Sequence, residues 1–120
     1  MKAFLAAAAM AIAFGSAAYA DDMTFYMKHN SQTGIAIEFF SQDRNQVWPG
    51  NDKVYFLDKG EKKSVTVECQ AGENICYGAW VAGDDSVWWG VGPDNDKKCD
   101  TCCRICVDGA TETVSIGSEQ

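Results

Sequence analysis

Six cysteines are the residues whose type and spacing bear most directly on chemistry. They all lie in the second half of the chain, and the last four form the pattern Cys-x-x-Cys-Cys-x-x-Cys between residues 99 and 106. This spacing is compatible with structural disulfides, with a zinc site made of paired knuckles, and with thiol–disulfide exchange. The six positions are Cys69, Cys76, Cys99, Cys102, Cys103 and Cys106.

Structural disulfides are the use that the pattern favours. An even number of cysteines can pair completely, which leaves no free thiol for nucleophilic chemistry. Cys102 and Cys103 are adjacent, so on an extended backbone they point to opposite sides and we expect them to have different partners. Cross-links from this cluster to Cys69 and Cys76 would close loops of roughly 15–30 residues, each contributing about 3 kcal/mol.

Metal binding and redox catalysis fit the pattern less well. The knuckles of a zinc ribbon are separated by many residues, whereas the two Cys-x-x-Cys pairs abut here. A redox-active pair usually lies at the N-terminus of a helix that follows a strand, because that position stabilises the thiolate, and neither pair has such a local sequence. An exported thiol–disulfide or metal-handling protein remains the alternative to the function given below.

Residues 1–20 have the layout of a cleaved secretory signal peptide. Lys2 supplies a positive charge, residues 3–14 form an unbroken apolar run, and Ala18-Tyr19-Ala20 places small residues at the cleavage site. As a helix the apolar run would reach about 18 Å, short of the roughly 30 Å of a bilayer core. We therefore predict an exported protein of bacterial type, periplasmic or extracellular, with residues 21–120 as one small domain.

Short runs of alternating apolar and polar residues, separated by glycine, asparagine and aspartate, occupy most of the remaining chain. This pattern is typical of antiparallel strands joined by tight turns. The sequence predicts an all-β domain, a small antiparallel β-sandwich or open barrel stabilised by disulfides, with a cysteine-rich C-terminal segment at residues 99–106. The seven predicted strands are residues 23–28, 34–41, 53–58, 63–69, 74–81, 86–91 and 111–116.

A hairpin between residues 63–69 and 74–81 would fix which side chains share a face. An even-length turn at Gly72 would pair these two strands. A second even-length turn, at Gly83-Asp84, would place Trp89 of the following strand opposite Gly78, where the missing side chain leaves room for an indole. The core face would carry Val65, Val67, Cys69, Cys76, Trp80 and Trp89. The outer face would carry Thr66, Glu68, Tyr77 and Trp88.

Aromatic residues on that outer face are the binding candidates. Trp88 and Tyr77 could stack on a sugar ring or on the side chains of a partner protein. Glu68 and Thr66 would lie beside them and supply polar contacts. Trp48, in a predicted loop, is a further ring of the same kind.

Catalytic motifs are missing from the sequence. There is no Gly-x-Ser-x-Gly elbow and no His-Glu-x-x-His helix, and His29 follows the first predicted strand, where we expect a surface residue. Glu38, Glu68 and Glu73 are the carboxylates that strands or a tight turn would hold most firmly. Residues 94–100 resemble a calcium loop but lack its glycine and terminal glutamate. We expect no catalytic residues, no metal ligands and no cofactor.

The net charge of −7 argues against nucleic acid and anionic membranes, because both require a basic surface. We expect a monomeric, exported, non-catalytic binding module that does not insert into a membrane after signal cleavage. Its ligand would be a carbohydrate, a cell-envelope component or a protein. The protein case includes inhibition of a hydrolase, in which charge steers an acidic domain towards a basic enzyme.

Overall fold

The computed structural model describes residues 21–117, and these residues form nine β-strands and no helix. The predicted leader lies outside the described residues. The strands are β1 (Asp21–His29), β2 (Ile35–Ser41), β3 (Val47–Trp48), β4 (Tyr55–Leu57), β5 (Lys62–Cys69), β6 (Asn74–Val81), β7 (Asp84–Gly90), β8 (Cys103–Ile105) and β9 (Thr111–Ile116).

The all-β prediction is confirmed, and each of the seven predicted strands is present with both ends within two residues of the expected bounds. The strands β3 and β8 were not predicted, since two or three residues are too few to show an alternating pattern. No helix in residues 21–117 has the length and hydropathy of a membrane-spanning segment.

The strands form two sheets. The small sheet has the order β5-β1-β9, in which β5 is antiparallel and β9 parallel to the central β1. The large sheet has the order β3-β2-β6-β7, all antiparallel, with β4 pairing to β2 and β8 pairing to β6. The inner faces of both sheets contribute to one hydrophobic core. Its largest fully buried side chains include Phe25, Met23 and Met27 of β1 and Phe39, Ile35 and Ile37 of β2.

The predicted hairpin between β5 and β6 is wrong. β5 pairs with β1 in the small sheet, whereas β6 pairs with β2, so the turn between them crosses from one sheet to the other. The burial pattern explains this pairing. β5 alternates between buried and exposed residues from Ser64 onwards, whereas β2 is buried on both faces for most of its length and β6 has buried residues on both faces. Strands that are apolar on both faces belong in the middle of a sheet that is covered on both sides.

Three disulfides pair all six cysteines: Cys69–Cys106, Cys76–Cys103 and Cys99–Cys102. The adjacent Cys102 and Cys103 have different partners, as predicted. The bond between Cys69 of β5 and Cys106, which follows β8, joins the two sheets. The bond from Cys76 to Cys103 links the neighbouring strands β6 and β8. The C-terminal part of the chain is therefore tied covalently to both sheets.

Candidate functional site

The outer face of the large sheet carries two different surfaces side by side. Residues paired across neighbouring strands share a face, so the register places Phe40, Glu38 and Ala36 of β2 on this face opposite Cys76, Gly78 and Trp80 of β6. Residues 91–102, here called the covering segment, lie over the half that contains Phe40 and Cys76. The half that contains Ala36 and Trp80 is the open half.

The covered half is a small second core. Phe40, Cys76 and Val91 are buried together, and Cys99 and Val47 pack against them. The backbone of the covering segment comes very close to β6. A Cβ atom added at Gly78 would lie 2.0 Å from the carbonyl oxygen of Gly92. The glycine does make room, as predicted, but a backbone carbonyl occupies that room and the Trp89 indole does not.

The open half carries three aromatic side chains in one cross-strand row. Phe56 of β4 pairs with Ala36, Ala36 pairs with Trp80, and Trp80 pairs with Trp88 of β7. At a strand spacing of about 4.8 Å, the row from Phe56 to Trp88 extends about 14 Å. Phe56 is 46% exposed and Trp88 is 40% exposed, whereas Trp80 is half-buried. We call Phe56, Trp80 and Trp88 the aromatic row.

Negative charge lies on one side of the aromatic row. Glu38 lies on the same face, two positions along β2 from Ala36, and partial burial together with repulsion from Asp94 and Asp52 raises the pKa of its carboxyl group. These three acidic residues come from β2, from the turn before β4 and from the covering segment. The covering segment therefore brings a carboxylate towards the boundary of the open half.

The part of the aromatic row formed by Trp80 and Trp88 has two further features. An open depression of about 230 Å³ is lined by Trp80, Gly83, Asp84 and Asp85. The Nζ atom of Lys97, in the covering segment, lies 5.3 Å from the centroid of a Trp88 ring. This distance is typical of a cation–π contact, so the face of Trp88 is already placed to hold an ammonium group.

Tyr77 and Trp88 lie on opposite faces of the large sheet, so their predicted common platform is wrong. Trp88 pairs with Trp80, whereas Tyr77 is offset from Trp80 by three positions on β6 and therefore faces the other way. Tyr77 packs against the main core together with Trp89. Burial raises the pKa of the Tyr77 hydroxyl, and Arg104 partly offsets that rise. Tyr77 thus contributes to the core side of the sheet.

The other three predicted binding residues are also separate from Trp88. Thr66 and Glu68 are exposed on the outer face of the small sheet, where the Thr66 hydroxyl lies 3.0 Å from that of Thr24. Trp48 is 8% exposed, belongs to the main core and donates its indole N–H to the carbonyl oxygen of Glu68 at 2.9 Å. The five candidates therefore do not form one site.

The carboxylates considered for acid–base chemistry are dispersed as well. Glu73 is buried and accepts hydrogen bonds from Arg44 Nε and Nη2 at 2.5 and 3.0 Å. Burial alone would raise the pKa of Glu73, but hydrogen bonds from Arg44, Ser41 and the Gln70 amide outweigh it and lower the pKa. This ion pair fastens the loop after β2 to the turn before β6. Glu38 and Glu68 belong to different sheets.

His29 is buried and not a surface residue as predicted. Its Nδ1 atom accepts the Ser31 amide at 3.2 Å, and its Nε2 atom hydrogen-bonds the carbonyl oxygen of Thr33. Both ring nitrogens are thus used to close the turn after β1. Within residues 21–117, no three His, Cys, Asp or Glu side chains are grouped so as to hold a metal ion.

The residues that the sequence analysis missed are Phe56 and Trp80. The sequence pattern does not distinguish Phe56 from the other aromatic residues, and a β5–β6 hairpin would place Trp80 on the core face, whereas the observed pairing reverses the faces of β6. The alternation Ile35-Ala36-Ile37-Glu38 in β2 carries the signal that would have found them, since the polar Glu38 marks the outer face. Comparison of the chain with known protein families, curated proteins and solved structures finds no match.

Proposed function

We propose that this chain is an exported, non-catalytic binding module whose ligand docks on the aromatic row of the large sheet. The observation that carries the proposal is the alignment of Phe56, Trp80 and Trp88 across the open half, with two of the three rings at least 40% exposed. Rings of this size are costly to leave in water, and a ligand that covers them gains about 25 cal/mol per Å² of apolar area removed from solvent.

The rigidity of the support favours binding over a purely structural use of these rings. β6 and β2 are central strands, the Cys76–Cys103 disulfide links β6 to β8 directly after the covering segment, and the Cys99–Cys102 disulfide closes a loop within that segment. A platform that does not rearrange loses less conformational entropy when a ligand is bound. The aromatic row therefore has the properties of a preformed site on a small two-sheet sandwich.

Export is part of the same proposal. The apolar run at residues 3–14 and the small residues at Ala18 and Ala20 support a signal peptide. Three disulfides are compatible with an oxidising compartment. Thiol–disulfide exchange has weaker support, since Cys102 is 5% exposed and no helix N-terminus within residues 21–117 is present to stabilise its thiolate.

The experiment compares two matched aromatic variants. The full chain is expressed with its leader, and the exported product is titrated separately with oligomers of N-acetylglucosamine and with a peptide of alternating lysine and valine. At least one probe should bind saturably, and Trp88→Ala should weaken that binding at least about tenfold, as truncation of a central aromatic contact does. Tyr26→Ala, on the outer face of the small sheet, is the control and should leave the affinity unchanged.

The proposal fails in either of two cases. The first is that neither probe binds. The second is that a probe binds and Trp88→Ala leaves its affinity unchanged, or Tyr26→Ala weakens it equally.

A further inference from the structure

The charges around the aromatic row indicate what kind of ligand it takes. Glu38 shares the outer face with the row, and Asp52 and Asp94 repel its charge. Asp84 and Asp85 line the depression beside Trp80, on the side of the row away from Glu38. Carboxylates thus lie on both sides of the row along the strand direction, which is the arrangement of an apolar contact surface with a charged rim.

The contact between Lys97 and Trp88 also indicates that the row can bind a cationic side chain. An ammonium group of this chain lies over a Trp88 ring at 5.3 Å, and the nearest carboxylate to it, in Asp96, is 3.9 Å away. The pairing of an aromatic face with a neighbouring carboxylate is the combination that stabilises a lysine or arginine side chain. Lys97 occupies one such position and leaves the carboxylates of Glu38, Asp84 and Asp85 without a lysine or arginine partner among the described ion pairs.

We propose that the open half of the large sheet docks a protein or peptide segment that presents lysine or arginine side chains next to apolar ones. The inference rests on the proposed function and narrows its ligand to one class. Apolar side chains of the partner cover Phe56 and Trp80, while its cations approach the carboxylates on the two sides of the row. Electrostatic attraction of this kind raises the rate of association and selects against acidic partners.

The charges beside the row make a carbohydrate a less suitable ligand than a cationic peptide. A neutral sugar would use the rings equally well, but it would leave the repulsion that Asp94 and Asp52 exert on Glu38 unrelieved. A cationic group that binds beside these three carboxylates relieves that repulsion, whereas a cation bound elsewhere on the protein does not.

The test uses the peptide of alternating lysine and valine, with two controls of equal length that replace lysine by acetyl-lysine or by glutamate. The lysine peptide should bind the exported protein measurably in calorimetry at about 50 mM salt, and both control peptides should bind at least about tenfold more weakly. Raising the salt to about 500 mM should weaken the lysine peptide several-fold, because exposed charges are screened.

Two double variants that remove the same charge at different places show which acidic residues attract the lysine peptide. Asp52→Asn with Asp94→Asn should weaken lysine-peptide binding about three- to tenfold, as expected for two rim charges. Asp22→Asn with Glu68→Gln removes the same charge from the outer face of the small sheet and should change the affinity less than about twofold. Lys97→Met should tighten the lysine peptide, since it removes a competing cation from Trp88 and keeps the aliphatic stem.

The outcomes separate this inference from the function on which it rests. If N-acetylglucosamine oligomers bind in a Trp88-dependent way and the lysine peptide does not, the cationic partner is wrong and the binding face stands. If the lysine peptide binds but both double variants weaken it equally, the attraction is a property of net charge and the inference is wrong. If no probe binds, both are wrong.

Discussion

Gly78→Ala is the substitution that tests most directly how the covering segment meets β6. Gly78 does not have a positive φ, so alanine meets no backbone strain there and the effect is steric. The added Cβ atom would lie 2.0 Å from the carbonyl oxygen of Gly92 and 2.9 Å from Phe40 Cε2. Ordinary contact begins at 3.4 Å, so Gly92 would have to move by about 1.4 Å.

That movement is costly because the segment is held on several sides. The Gly92 amide donates to the carbonyl oxygen of Trp89, the Lys97 amide donates to that of Val91, and Val91 is buried in the second core. Overpacking of a filled site usually costs 1–3 kcal/mol, and a backbone obstacle places this case at the upper end, about 3 kcal/mol.

The measurement is equilibrium unfolding in denaturant of the oxidised exported protein, with all three disulfides intact. The control is Gly60→Ala, which has a positive φ of 72° but open space around its Cβ position, so it should cost about 1 kcal/mol for backbone conformation alone. A loss below about 1 kcal/mol at Gly78 would show that the covering segment does not contact β6 as described here.

Three further outcomes follow from the burial of individual side chains. Trp88→Ala should change the free energy of unfolding by less than about 1 kcal/mol because the residue is 40% exposed. Trp48→Ala should cost about 3–5 kcal/mol because its ring is in the main core. Equal losses of the two variants in thermal unfolding would contradict the assignment of faces. Glu73→Gln should cost about 2 kcal/mol at neutral pH, since hydrogen bonds to a charged group are lost. The lowered pKa of Glu73 means that its stabilisation is present above its ordinary pKa of 4.5 and is lost as the pH falls through the lower folded value. Wild-type stability measured by denaturant titration should therefore fall more steeply below pH 4.5 than that of Glu73→Gln, and parallel curves would refute the ion pair with Arg44.

The positions of the strands could be predicted from the sequence because they depend on local information. Alternating runs such as residues 62–69 show their period of two without reference to the rest of the chain, and glycine-containing turns mark their ends. The separate partners of Cys102 and Cys103 could be predicted for the same reason, since the directions of adjacent side chains on an extended backbone are a local property.

The pairing of strands could not be predicted in the same way. The four-residue connection 70–73 is short enough for a hairpin, and a hairpin was assumed, but Glu73 is instead fixed by Arg44 after β2. That ion pair joins residues 29 positions apart in sequence and left no local signal. Because one wrong pairing reverses every face of a strand, the β5–β6 hairpin places Trp80 in the core. A separate wrong expectation, the even-length turn between β6 and β7, places Tyr77 beside Trp88, whereas the register shift between Trp80 and Val81 pairs Trp80 with Trp88.

The composition of the candidate site depends on the same non-local pairing. Phe56 and Trp88 are 32 residues apart in the sequence, and they join one row only through β2 and β6. Each was visible as an aromatic residue within a predicted strand, but their common face follows from the order of the large sheet.

The indole N–H signals of the four tryptophans provide the most direct test of the binding face. In a ¹⁵N-labelled sample of the exported protein, titration with the lysine–valine peptide or with N-acetylglucosamine oligomers should shift the signals of Trp80 and Trp88. The Trp48 signal should stay constant, because that indole is buried and donates to the Glu68 carbonyl oxygen. Saturable shifts confined to Trp48 and the small sheet, with Trp80 and Trp88 unmoved, would contradict the account.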